Sequence, residues 1–489
     1  MGGETAKMYQ HTAGLVLLDS SGRPDFVFEA FRRHIEERVG GVPQFRWKLH
    51  EVPLGLDLPY WVEDEHFNFD HHIRRIAVSP PGDPQALGEL VAYLYSKHLD
   101  RNRPLWEMWF IEGVADGQYA VLQKMHHCMM DGEAARKLGE MIGDFEPDAP
   151  PKAIEPAIAE ARAGEVPEGW RKSFNAAARL SRLPLQASRE VYDAARQSVL
   201  QRIARIGKPA REMQLAPVAC FNAEIGGSRG FVFGSLPLAD IKTVKDHFGV
   251  TVNDVVLALV GSSLRDYLRR QGKLPDGSLR AYIAISLRAE NDDTFSNKVT
   301  STDVTLGTAI AEPEQRLRSI AAETAAAKKL ARGGGNKGLM EILGLFPPVV
   351  VNAMVSLAPV SMIMRASNGN LLVSNVRGSP RAMYLGGARI AATYPMSIVT
   401  PGMGINVTCV SCVDNVDFGV TIAPELIPEP WLVIGGLHKA LGDYLAMTRK
   451  KVRRANRAAV DRIRSKAERA AGRSKPDLKR TRARKKARN

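Results

Sequence analysis

The sequence predicts a mixed α/β fold built in two halves. Short apolar segments of strand length alternate irregularly with longer segments of helical period, which suits α+β mixed sheets better than a strict βαβ repeat. The 489 residues, 45% hydrophobic and 25% charged, are enough for two ample cores and have a soluble globular composition. After Phe145 the chain turns to Glu146-Pro-Asp-Ala-Pro-Pro-Lys152 and then to Ala/Glu-rich sequence up to about Gly169, the mark of an exposed crossover. These breaks divide the chain into a first half (1–145), a crossover with helices (146–210), a second half (211–448) and a tail (449–489).

In the first half, Gly14–Ser20 reads as a strand, and Pro24–Val39 as an amphipathic helix with Phe26, Phe28, Phe31, Ile35 and Val39 on one side. Short strands are expected near Phe45–Trp47, Tyr60–Val62 and His72–Val78, a helix over Pro84–His98, and a strand over Met108–Gly113. The pair His71-His72, with no Asp-Gly after it, reads as strand surface. Val121–Met125 alternates as a strand, and Gly132–Gly143 has apolar residues spaced three and four apart as in a helix. Arg171–Ile206 is helical sequence. The second half opens with a strand from Arg229 to Leu236, followed by a strongly apolar helix reaching Tyr267-Leu268. Asn253 and Asp254 stand at its start as an N-cap pair accepting backbone N–H bonds. Leu279–Arg288 reads as a buried strand ending in a cation. Ile342–Met364 runs 23 residues without a charge, but Pro347, Pro348 and Pro359 break it, so it reads as a buried or interfacial helix rather than a membrane span.

The formal charge of +14 belongs to the tail. Residues 449–489 hold 19 of the 67 Lys and Arg but 3 of the 53 Asp and Glu, leaving 48 against 50 for residues 1–448. Such a tail suits a solvated solubility segment, attachment to an anionic membrane or lipid-droplet surface, or nucleic-acid binding. Its lack of aromatic residues argues against single-strand recognition, and no specific nucleic acid is expected. Four cysteines in so long a chain argue against a disulfide scaffold. Cys409 and Cys412 have CxxC spacing, but Ile405–Val413 reads as a strand, in which residues three apart point to opposite faces, so no metal site is expected. The N-terminus shows no secretion signal. The expected location is cytoplasmic, peripheral to membrane or lipid inclusions.

His126-His127 and Asp131-Gly132 form the pattern HHxxxDG at a strand-to-helix junction, where a rigid element delivers a side chain to a cleft. Pro104-Leu105-Trp106 reads as a proline leading into a strand with two core hydrophobes. Ser286-Leu287-Arg288, Ser374-Asn375-Val376-Arg377-Gly378-Ser379, Tyr394-Pro395 and Asp417-Phe418-Gly419 follow in order. With Asn253-Asp254, these blocks resemble the wax ester synthase/diacylglycerol acyltransferase family of the HHxxxDG CoA-dependent acyltransferases, relatives of chloramphenicol acetyltransferase and of peptide-synthetase condensation domains.

The resemblance implies two chloramphenicol-acetyltransferase-like domains with an active-site tunnel between them. It implies transfer of a fatty acyl group from acyl-CoA to diacylglycerol, with a long-chain alcohol as second acceptor and no cofactor or metal. The second histidine, His127, becomes the general base, for which imidazole, with a pKa of about 6.5, is suited. Adjacent strand residues face opposite ways, leaving His126 to support it by packing or hydrogen bonding. By the same resemblance Asp131 makes a structural salt bridge, with Arg288 as candidate partner. Gly132 permits close backbone approach at the turn. Pro104, Leu105, Trp106, Asn253, Asp254, Arg288 and Asn375 form the expected substrate-binding set. Two departures stand out. Family members usually carry a further segment ending in Met-His where this chain has Met8-Tyr9-Gln10-His11, and a usual Asn-Val-Pro-Gly-Pro is here Asn375-Val-Arg377-Gly-Ser379. The rival readings are a catalytically silent lipid- or partner-binding module of the same fold, and an acyltransferase acting on another hydroxyl or amine.

Overall fold

Strands and helices alternate irregularly along the chain, as the hydrophobic pattern predicts. A computed structural model describes residues 4–53, 58–129, 139–150, 162–164, 216–286, 299–332, 349, 353 and 368–449. The first half contributes β1 (His11–Asp19), α1 (Phe28–Val39), β2 (Trp47–His50), β3 (Tyr60–Glu63), β4 (Ile73–Ala77), α2 (Pro84–Tyr95), β5 (Trp106–Glu112) and β6 (Tyr119–His126). The second contributes β7 (Gly230–Pro237), α3 (Leu238–Phe248), α4 (Val252–Arg270), β8 (Arg280–Ser286), β9 (Val299–Thr305), α5 (Pro313–Arg332), β10 (Leu371–Arg377), β11 (Tyr384–Leu385), β12 (Ala388–Met396), β13 (Ile405–Cys412) and β14 (Asn415–Ile422). A further helix covers 431–449. Residues 139–142 are helical, as expected for the end of the 132–143 helix; the rest of that helix, the expected helix over 171–206, most of the 342–364 segment and the tail beyond 449 lie outside the described residues.

Among the described residues the strands form two six-stranded sheets, in the orders β11-β12-β1-β6-β5-β4 and β7-β14-β13-β10-β8-β9, with β2 and β3 as a separate pair. Both are mixed: β4 runs parallel to β5, and β10 parallel to β8 and β13, while their other neighbours are antiparallel. α1 lays Phe31, Ile35 and Val39 on one face of the first sheet against Phe110, Val121 and Trp106. Each such buried side chain contributes about 1.5–3 kcal/mol. α2 covers the opposite face with Leu87, Val91, Leu94 and Tyr95, and meets Phe231 and Phe233 of β7 there. α4 is buried continuously from Asp254 to Gly261, so it is a core helix rather than an amphipathic surface one. α3 and α4 meet at 103°, and among the described residues no single helix is long and apolar enough to cross a membrane.

The linear division at 145 and 211 is crossed by one excursion. Residues 384–396, from the second half, leave it as β11 and β12 and complete the first sheet, with β12 antiparallel to β1. The junction is polar at one point: the buried Asp417 carboxylate accepts Ser235 Oγ–H at 2.6 Å and Thr393 N–H at 2.9 Å, joining β14, β7 and β12.

Four local expectations need correction. Helix α1 begins at Phe28 rather than Pro24, and Phe45 sits in a short 3-10 turn (Pro43–Arg46) before β2. His72 is not strand surface: it is 3% exposed, and its ring stacks on Trp106. Asn253 and Asp254 do not form an N-cap pair. Thr251 is the cap, two residues before Asn253: its Oγ1 accepts Asp254 N–H at 3.2 Å while the Asp254 carboxylate accepts Thr251 N–H at 2.9 Å, a capping box. Cys409 and Cys412 separate as strand geometry requires, Cys409 in the core and Cys412 beside Gly378.

Candidate active site

β6 delivers the histidine pair. It pairs with β1 so that His126 faces His11, and its end is tied by His126 N–H donating to the Leu105 carbonyl at 2.9 Å. The backbone then leaves the sheet: His127 N–H donates to the Gln10 carbonyl at 2.8 Å, and Met129 N–H returns to the His126 carbonyl at 3.0 Å. The two imidazoles part at this turn. His126 is buried and His127 is exposed.

The His126 ring closes the turn from within. Its Nδ1 accepts Cys128 N–H at 3.1 Å, which leaves the ring proton on Nε2, facing Glu4 Oε2 at 3.4 Å. Glu4 also accepts Gln10 N–H on Oε1 at 3.3 Å and pairs with Arg101. Burial works against the Glu4 charge, but hydrogen bonds from His126 and Arg101 outweigh it and hold the carboxyl at about 2. Cys128 reaches solvent at its edge, yet enough protein surrounds it to push its thiol up to about 11, unsuited to a nucleophile.

Behind this pair the packing is dense. His11 Nε2–H donates to the Tyr95 carbonyl at 2.7 Å, and Tyr95 O–H returns to the His11 carbonyl at 2.9 Å. Burial, then the Lys124 charge, pushes the His11 imidazole down to about 3. Lys124, fully buried, donates to Glu107 Oε1 at 2.9 Å and to the Leu94 carbonyl at 3.1 Å, closing the last turn of α2.

Pro104, Leu105 and Trp106 are all buried. Trp106 Nε1–H donates to the Phe45 carbonyl at 2.8 Å, and its own carbonyl takes the His72 Nδ1 proton at 2.7 Å. These residues therefore brace the end of β6 from the core side rather than presenting a surface. Asp254 is likewise buried, accepting Thr324 Oγ1–H at 2.6 Å besides its capping bonds. Asn253 and Asn375 do come together, Nδ2 of Asn375 lying 3.5 Å from Oδ1 of Asn253. No described contact joins that pair to the histidine turn. Asp131, Gly132 and Arg288 lie outside the described residues. A cavity of about 130 Å³ near Ser262, Arg265, Arg316 and Tyr444 is lined by none of the expected residues.

Sequence reasoning missed Glu4 and Gln10. No local pattern marks them, because Glu4 meets His126 across 122 residues of chain. The signal that pointed nearest was the departure at Met8–His11.

Residues 2–256 match the wax ester synthase/diacylglycerol acyltransferase catalytic domain, and residues 295–444 match the C-terminal domain of the same enzymes. The chain belongs to the wax ester synthase/diacylglycerol acyltransferase family. It is an acyltransferase, and the relatives agree. A Mycobacterium tuberculosis protein bearing the name diacylglycerol O-acyltransferase is 33% identical over 444 residues, covering 90% of this chain and 88% of the relative. The wax ester synthase/diacylglycerol acyltransferase from Marinobacter aquaeolei VT8 superposes with a TM-score of 0.65 at 26% identity, over 91% of this chain and 96% of that one. The EpoB cyclization-docking bidomain from Sorangium cellulosum, at 14% identity and a TM-score of 0.50, covering 90% of this chain and 79% of its own, shares the fold alone. The mixed α/β fold expected of this family is thus the one present.

Proposed function

We propose that this acyltransferase moves a fatty acyl group from acyl-CoA to the free hydroxyl of diacylglycerol, with a long-chain alcohol as second acceptor, and that His127 is its general base. The observation that carries the reading is the parting of the two imidazoles: His126 is locked into the protein, while His127 stands exposed on a backbone pinned at both sides. An alcohol near neutral pH attacks a thioester poorly until a base takes its proton, and imidazole does so without itself forming a bond to the acyl group. The alkoxide oxygen bonds to the thioester carbon, the tetrahedral intermediate collapses with loss of the C–S bond, and the imidazolium returns its proton to the CoA thiolate. The raised thiol of Cys128 supports this direct transfer over an acyl-enzyme. Pairing of Asn253 with Asn375 favours a polar contact to substrate from the second half, and Asp131 with Arg288 would hold the motif loop.

Radiolabelled acyl transfer, with diacylglycerol and a long-chain alcohol assayed side by side, tests the proposal. His127→Ala should lose about 10²–10⁴-fold in rate. Ester synthesis undiminished by that substitution overturns the base assignment, and transfer to neither acceptor overturns the substrates. The basic tail suggests in addition that the enzyme works from the cytoplasmic side on an anionic lipid surface, each cation near such a surface contributing about 1 kcal/mol. Sedimentation with phosphatidylglycerol vesicles, comparing the full chain with one ending at residue 448, reads that contribution; equal binding by both excludes it.

A further inference from the structure

One carboxylate grips the histidine turn from two directions. Glu4 Oε1 accepts Gln10 N–H at 3.3 Å, and the Gln10 carbonyl in turn accepts His127 N–H at 2.8 Å. Glu4 Oε2 faces His126 Nε2 at 3.4 Å, and His126 Nδ1 accepts Cys128 N–H at 3.1 Å. The peptide groups on either side of His127 therefore both lead back to the same side chain. That side chain is 8% exposed and lies on a segment anchored to the opposite half: Tyr9 O–H donates to the Gly227 carbonyl, Arg229 donates to the Lys7 carbonyl, and the Arg229 guanidinium lies 4.5 Å from the centre of the Tyr9 ring.

We propose that Glu4 is a positioning residue for His127, its carboxylate fixing the backbone on both sides of that imidazole so that the ring meets the acceptor hydroxyl in register. Glu4 does not touch substrate. It acts through Gln10 and His126, and residues 4–10 thereby couple the second half, through Arg229, to the aim of the base. The inference rests on the reading of His127 as general base. A hydroxyl and a thioester must meet the base within a few tenths of an ångström, so a loosened turn costs rate while leaving ground-state binding nearly unchanged.

The test uses the full chain and four variants: Glu4→Gln, Glu51→Ala, His127→Ala and Glu4→Gln/His127→Ala. Glu4→Gln preserves volume but removes the charge facing His126; it should lower kcat about 10- to 100-fold with KM for both substrates within about two-fold. Glu51→Ala deletes the exposed outer partner of Arg101 and leaves Glu4 and both arms of the grip, so its kcat should stay within about two-fold of the parent. Because Glu4 acts only through His127, adding Glu4→Gln to His127→Ala should bring no further loss. Thermal midpoints of all four variants separate loss of fold from loss of aim. An unchanged kcat in folded Glu4→Gln overturns the proposal, as does a Glu51→Ala variant matching its loss, or a double variant in which the two losses simply multiply. Should His127→Ala itself keep full activity, the base assignment has failed; a silent Glu4→Gln beside an inactive His127→Ala shows that this inference alone has failed.

Discussion

Gly419 of β14 lies so close to Pro395 of β12 that a Cβ at position 419 would fall 1.9 Å from the Pro395 carbonyl oxygen. The contact joins the second sheet to the strand that completes the first, so at this point the two halves meet backbone to backbone. The expected outcome for Gly419→Ala is a loss of about 1–3 kcal/mol, since the methyl has only a main-chain oxygen to displace. Gly435, within the 431–449 helix and with nothing inside 4 Å of its own notional Cβ, is the control: Gly435→Ala should leave stability unchanged or raise it by about 0.5–1 kcal/mol. Urea midpoints decide between these outcomes, and equal effects at the two sites would refute the close-contact argument.

Acid should weaken the fold through His11. Burial, with Lys124 nearby, holds its imidazole at about 3 against an ordinary 6.5, so the unfolded chain takes up a proton that the folded one refuses. The folded-state pKa is depressed. The stability this group supplies is therefore complete above about pH 6.5 and falls away as the pH drops toward 3, at up to about 1.4 kcal/mol per pH unit. His72 and His34, both lowered by burial, shift in the same direction. Denaturation midpoints measured from pH 7 to 4 should fall less steeply for His11→Phe than for the parent; parallel curves would show that His11 takes up its proton in the folded state.

Position 254 should affect stability where position 253 does not. Asp254 completes the capping box with Thr251 and also takes the Thr324 hydroxyl at 2.6 Å, so Asp254→Ala should cost about 1–3 kcal/mol from the lost reciprocal bond to Thr251 N–H and the lost buried bond to Thr324, whose hydroxyl keeps the Ala321 carbonyl at 3.1 Å. Asn253→Ala should stay within about 0.5 kcal/mol of the parent in chemical denaturation. Its effect belongs in the acyl-transfer assay, as a raised KM if the Asn253–Asn375 pair meets substrate.

The Lys124–Glu107 pair should be more costly to break than to replace. Lys124 is wholly buried and Glu107 is 14% exposed, so Glu107→Ala strands a buried ammonium at a cost of about 3–5 kcal/mol. In Glu107→Leu/Lys124→Met no charge is left behind, and the double variant should be the more stable of the two. A double variant no better than Glu107→Ala would assign the cost to the Lys124 bonds with the end of α2 instead.

Much of the fold was legible in the sequence because it is carried by local periodicity. Alternation over 121–125 placed the end of β6, and an unbroken apolar run from Val255 marked α4 as a core helix. The family blocks were legible as well, although several describe the framework more than the site: Trp106 and Leu105 are core residues, and Asp417, Gly419 and Pro395 hold the halves together. His72 was misread because its burial comes from Trp106, 34 residues away in the chain, and no pattern beside it records that partner.

The sequence by itself determined the family, the element types and the identity of the histidine pair, since these rest on residue type and short-range spacing. Tertiary structure alone decided which strand closes the first sheet, which imidazole is buried, and that Glu4 lies behind both. Those outcomes depend on pairings such as Glu4 with His126, and β12 with β1, whose members stand more than a hundred residues apart. Chain entropy opposes such contacts until the sheets form, and only their packing selects one partner among many.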